Sequence, residues 1–131
     1  MESTLEYLAM LHESFGSDYV MPNGYKADCL DVATEIATRL LLAGKPPFLM
    51  RFAEIKDCRL VKASLAPVKY GGKLIWDFHI TACSGSEVYD PLVSKLPVPL
   101  KDYSVQAFGR QVPMGVFVSA DLIQAVTQPL T

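Results

Sequence analysis

The segment ADCLDVATEIATRLLLAGKPP, from Ala27 to Pro47, constrains the fold more than any other part of the chain. Cys29, Ala33, Ile36, Ala37, Leu40 and Leu41 recur at helical spacing and form one apolar stripe. Asp31, Thr34, Glu35, Thr38 and Arg39 lie off that stripe. Asp28 is a suitable N-cap, and Gly44 followed by Lys45-Pro46-Pro47 is a firm stop. This predicts an amphipathic helix from about Cys29 to Ala43 with one face committed to a core. A weaker helical rhythm runs from Thr4 to Phe15, with Ser3 or Thr4 as its cap and Gly16 as its end. Between the two helices SDYVMPNGYKAD has the turn formers Pro22, Asn23 and Gly24 and is expected to be a loop.

After the second helix the rhythm shortens to that of strands. FLMRFAEI alternates, and RLVKASL is expected to pair with it after a turn at Lys56-Asp57. Gly71-Gly72 introduces LIWDFHITA, and Ser84-Gly85 turns the chain into SEVYD. Pro91, Pro97 and Pro99 interrupt regular structure. A strand near GVFVS and a short helix near ADLIQAVTQ, capped by Ser119, end the chain. Helices first and strands after predict an α+β fold with N-terminal helices packed on an antiparallel sheet. At 131 residues, with no repeat, linker or low-complexity segment, residues 1–131 are expected to form a single domain.

Composition removes several functions. Half the residues are hydrophobic and a fifth are charged, so the chain can bury a core without disulfides or metal. A formal charge of −2 with scattered Lys and Arg gives no reason to expect a nucleic-acid partner. No apolar run reaches membrane-spanning length, and MESTLEYLAMLHESFG lacks the basic start of a signal peptide. The expected location is the cytoplasm, with leaderless secretion left open. Cys29, Cys58 and Cys83 are odd in number and have no paired spacing, against a disulfide framework or a zinc site. Cys58 and Cys83 are expected to be structural, and His12 a solvated surface residue.

The hairpin WDFHITACSGSEVYDP holds a histidine and an aspartate. A two-residue loop of Ser84 and Gly85 pairs Cys83 with Ser86, Thr81 with Val88 and His79 with Asp90. Opposed residues share a face with Cβ atoms about 4.5–5.5 Å apart, close enough for an imidazole to meet a carboxylate. Such a bond fixes the ring tautomer and stabilises the imidazolium. A three-residue loop would instead set His79 opposite Pro91 and turn the second strand over. Asp77, two residues from His79 on the same face, competes as the acid. Cys29 occupies the first turn of the long helix, where free N–H groups and the helix dipole favour a thiolate and can receive an oxyanion. Asp28 and Asp31 oppose that effect. The plainer readings are a surface ion pair for His79 and Asp90, and a small buried hydrophobe for Cys29.

A cysteine opening a helix, then a histidine on a strand, then an aspartate on the next, resembles the papain-like cysteine hydrolases. The likeness is carried by ADCLDVATEIATRLLLAG around Cys29, DFHI around His79 and EVYDP around Asp90, across roughly Tyr25 to Pro91. It is similar above all to the transglutaminase-like branch and to bacterial papain-fold deamidase or toxin domains. The resemblance implies a papain-like core, Cys29 as nucleophile, His79 as general base and acid, and Asp90 as the residue that orients it. It implies acyl transfer from an amide through a thioester, with no cofactor and no metal. Asn23 stands six residues before Cys29, where papain-like enzymes often have an oxyanion-holding glutamine; it takes that role or only shapes the Pro22-Asn23-Gly24 turn. Asp28 and Ile80 occupy positions where transglutaminase-like sites often have tryptophan. The expected substrate is a protein or peptide amide, and the short chain favours a side-chain or terminal amide over an extended peptide. The competing functions are a non-catalytic binding module on the same scaffold and a thiol redox sensor.

Overall fold

The computed structural model describes residues 3–14, 29–119 and 122. The expected loop over residues 17–28, with Asp28 and Asn23, and nearly all of the expected helix after Ser119 lie outside the described residues. Helix α1 spans Thr4–Ser14 and α2 spans Cys29–Leu42. At the start of α1, Ser3 Oγ accepts the Glu6 backbone N–H at 3.1 Å, a side-chain cap. Strands follow at Pro47–Phe52 (β1), Ile55–Lys56 (β2), Arg59–Leu60 (β3), His79–Ser84 (β4), Glu87–Tyr89 (β5) and Val98–Pro99 (β6). A third helix, α3, spans Leu100–Phe108, and β7 spans Met114–Phe117. The fold is α+β, as the order of patterns predicts.

Five strands form one antiparallel sheet in the order β6-β5-β4-β1-β7. Its faces bury different sets of side chains. Leu49, Ile80, Ala82 and Tyr89 pack with Leu8 and Leu11 of α1 and with Val32, Ile36 and Leu40 of α2. Met50, Phe52, Cys83 and Val88 pack with Tyr103, Ala107 and Phe108 of α3. Strand alternation sends neighbours to opposite faces, so β4 is buried on both sides, with His79, Thr81 and Cys83 on one and Ile80 and Ala82 on the other.

Three expectations are corrected. FLMRFAEI pairs with RLVKASL only at its end, where Ile55 lies opposite Leu60; the rest of it, β1, lies between β4 and β7. The turn between them is Asp57-Cys58, both at positive φ, which closes a two-residue ribbon and leaves no strand to continue. LIWDFHITA is a strand only from His79; Trp76 is held by an isolated bridge to Leu65. The segment after Pro97 is not merely broken, because Pro99 caps α3 and Gly109, at φ 75°, closes it. Cys58 sits in that exposed Asp57-Cys58 turn.

Leu49 is wholly buried at the centre of the sheet, whereas Leu42, at the end of α2, is 72% exposed. Leu49→Ala is expected to cost about 2–5 kcal/mol in urea unfolding, and Leu42→Ala to stay within about 0.5 kcal/mol. Equal effects would contradict this account of the core.

Candidate functional site

The β4–β5 hairpin delivers the histidine and aspartate by a register different from the expected one. Ala82 pairs with Tyr89, Cys83 with Val88 and Ser84 with Glu87, so the loop is Gly85-Ser86. Gly85 takes φ 60°, suited to the first position of a two-residue hairpin turn. The pairing is displaced by two residues from that given by a Ser84-Gly85 loop. A displacement of one would reverse the faces; a displacement of two restores them. Continuing the ladder past Tyr89 puts Asp90 across from Thr81 and diagonal to His79 on the same face. Diagonal neighbours are within reach of long side chains, and His79 Nε2–H donates to Asp90 Oδ2 at 2.8 Å.

This pair is not a surface ion pair. His79 is 1% exposed and Asp90 is buried. The carboxylate accepts two further bonds, from the Leu92 backbone N–H to Oδ1 at 2.9 Å and from the Tyr103 hydroxyl to Oδ2. The imidazole stacks on the Trp76 indole, with centroids 5.0 Å apart and planes 18° apart, and meets the edge of Phe108 at 6.0 Å. His12 is not a solvated surface residue: half-buried on α1, its Nδ1–H donates to the Pro91 carbonyl at 2.6 Å. Asp77, the rival acid, is engaged elsewhere, since its Oδ1 accepts the Ala63 N–H at 2.7 Å and holds Ala63 at φ 53°.

Cys29 arrives from the opposite face. It is the first residue of α2, half-buried, and its sulfur is near enough to the His79 ring to favour the charged imidazole. With Nε2 bound to Asp90, the nitrogen left for the sulfur is Nδ1. The contact is possible because His79 is the first residue of β4, at the end of the sheet where the N-terminus of α2 lies. Burial opposes charge on the His79 ring, but the Asp90 carboxylate, its hydrogen bond and the Cys29 sulfur outweigh it, and the pKa is pushed up to about 9. Cys83 differs: burial pushes its thiol up to about 11, leaving it protonated and unreactive at neutral pH. Its sulfur shares a hydrogen bond with Thr81 Oγ1 at 3.7 Å.

Cys29 opens onto a cavity of about 360 Å³, lined also by Leu30, Arg51, Leu60, Phe78, Ile80 and Phe117. Of the residues expected at the site, Cys29, His79 and Asp90 therefore come together, and Asn23 lies outside the described residues. Trp76, Tyr103 and His12 were not anticipated as supports. The usable signal for Tyr103 was that a buried tyrosine hydroxyl needs a partner; Trp76 had only its place three residues before His79. Among the described residues no group of three or more His, Cys, Asp or Glu is arranged to hold a metal ion, and no helix is long and apolar enough to cross a membrane.

Compared with protein-family models, curated proteins and solved structures, the chain matches none.

The raised His79 pKa links stability to pH. Protonation is favoured in the folded chain, so the contribution is full below the unfolded value of 6.5 and is lost as pH rises through about 9. Urea unfolding is expected to show a loss on the order of 3 kcal/mol across that window. His79→Gln should remove this slope; an unchanged slope would contradict the assignment. Asp90→Ala, which strands a buried imidazolium, is expected to cost about 3–5 kcal/mol at neutral pH.

Proposed function

We propose that the chain is a cysteine-dependent amide hydrolase or acyl transferase on a papain-like scaffold, using Cys29, His79 and Asp90. The observation that carries this reading is the placement of one imidazole between two partners, with a carboxylate on Nε2 and a helix-terminal thiol on the other side. Buried histidines satisfied for structural reasons have no need of a half-buried sulfur beside a cavity. The three expectations that the resemblance implies, namely amide chemistry, no cofactor and a protein or peptide amide substrate, all belong to this proposal.

The chemistry follows from the geometry. In this reading His79 carries the Cys29 proton as the sulfur attacks the amide carbonyl carbon, forming a C–S bond as the carbonyl π electrons move to oxygen. The first-turn N–H groups of α2 are the donors this reading assigns to that oxyanion. Collapse of the intermediate breaks the C–N bond, and His79 gives its proton to the leaving nitrogen, which departs as an amine or ammonia. Water or an acceptor amine then attacks the thioester, with His79 taking its proton, and release of the acyl group regenerates the thiol. Asp90, held by Leu92 and Tyr103, keeps the ring aimed and balances its charge. Trp76 covers one face of the ring and keeps water from its bond with Asp90.

A second reading, a non-catalytic binding module, draws on edge strand β7, where Met114, Val116 and neighbouring Val118 are exposed. Iodoacetamide separates the two. The enzyme reading expects Cys29 to be alkylated at mildly acidic pH faster than exposed Cys58, His79→Ala to abolish that advantage, and an acyl-Cys29 adduct to be trapped from an activated ester. Asp90→Asn should lower Cys29 reactivity as well, which a redox-sensing thiol would not require. Cys29 reacting no faster than Cys58 would sink the proposal.

A further inference from the structure

The cavity beside Cys29 has a composition that selects among amides. Five of its walls are apolar: Leu30 from α2, Leu60 from β3, Phe78 and Ile80 at the start of β4, and Phe117 from β7. The sixth is Arg51, an exposed residue of β1, opposite Ile80 on one side and Gly115 on the other. These paired positions share the sheet face on which α2 packs. No carboxylate among the described residues pairs with the Arg51 guanidinium. A cation in an apolar wall, next to a candidate nucleophile, is suited to an anionic group on a bound molecule, above all a carboxylate held by two parallel N–H donors. The volume, about 360 Å³, is at the small end of ligand pockets and suits one residue rather than a long peptide.

Resting on the amide-cleaving reading of Cys29, we infer that the cavity takes the residue on the amine side of the scissile bond, and that this residue is an apolar amino acid with a free carboxylate. The substrate class is acyl–NH–CHR–COO⁻: an apolar C-terminal residue of a peptide, or an N-acylated apolar amino acid. Arg51 holds the carboxylate, Phe78, Leu60 and Phe117 enclose the side chain, and the carbonyl on the far side of the nitrogen faces Cys29. Cleavage would break the C–N bond, leave the acyl group on sulfur and release the free amino acid with the proton delivered by His79. Gly115 keeps the space beside Arg51 open: a Cβ there would meet no atom within 4 Å, and its φ is not in the left-handed region. A side chain at 115 can therefore occupy the site without straining the strand.

Binding can be read without turnover. The full chain is alkylated with iodoacetamide in the presence of N-acetyl-leucine or N-acetyl-leucinamide, and Cys29 labelling is quantified against Cys58, each variant being referred to its own rate without ligand. The acid is expected to protect Cys29 saturably, at concentrations about tenfold lower than the uncharged amide, the discrimination a charge-assisted hydrogen bond supplies. Arg51→Gln should make the two equal, and Gly115→Val should weaken protection by both. Equal protection in the unsubstituted chain, or a preference that survives Arg51→Gln, overturns the inference. So does Cys29-dependent hydrolysis of amides that is indifferent to a neighbouring carboxylate, which would leave the amidase reading standing. Acid-selective protection in a chain that cleaves neither N-acetyl-leucine nor peptides ending in apolar residues would leave the anion pocket standing and remove the amidase reading.

Discussion

The buried bond between His79 and Asp90 is the contact on which the rest of the site depends. Removing an imidazolium and a carboxylate from water is costly, and their attraction offsets that cost only where geometry is good and the remaining lone pairs are satisfied. Here the carboxylate has three donors, and among the described residues no buried side-chain nitrogen or oxygen is left without a hydrogen-bond partner. The supports come from separate parts of the fold: Tyr103 from α3, the Leu92 N–H from the turn after β5, and Trp76 from the segment preceding β4. His12 on α1 fixes the Pro91 carbonyl and so ties the first helix to the acid-bearing turn. A pair held this way links both layers of the domain, and its protonation state is coupled to stability as well as to chemistry.

The two faces of the sheet do different work, and the site lies where they meet. The α2 face buries the larger share of the aliphatic core and positions the thiol at the first turn of the helix. The α3 face carries the aromatic cluster of Phe52, Tyr103 and Phe108 that encloses the histidine. A side chain in the middle of β4 could not contact both layers, because the sheet itself intervenes. His79, at the first position of the strand, meets Cys29 at the sheet's end while its other nitrogen remains in the α3 layer. Such placement of reactive groups at strand and helix ends is what a rigid scaffold allows.

Much of this was legible from local pattern. The long helix could be read because rhythm, cap and stop agree over residues 29–42. The pairing of His79 with Asp90 was anticipated, but through the wrong register. Ser84-Gly85 and Gly85-Ser86 are equally good turn sequences, and the choice depends on how β4 meets β1 rather than on the hairpin alone. Helix α3 was missed because LKDYSVQAF follows two prolines and shows a weak apolar rhythm; its helicity depends on burying Tyr103, Ala107 and Phe108 against the sheet. Asp77 could be dismissed as the acid only once its bond to Ala63 was seen, a contact across fourteen residues. The cavity was not legible at all, since Arg51 and Phe117 come together only through the order of the five-stranded sheet, and Leu60 reaches it from the separate β2-β3 ribbon.

The central claim is electrostatic: a carboxylate holds the ring between it and the thiol in its charged form at neutral pH. Nitrogen-15 spectra of the histidine side chains, followed from pH 6 to pH 10, measure this directly. The account predicts that His79 is doubly protonated at pH 7, loses its proton near 9, and titrates at clearly lower pH in Asp90→Asn. A His79 ring that is neutral at pH 7, or whose titration is unmoved by that substitution, would contradict it.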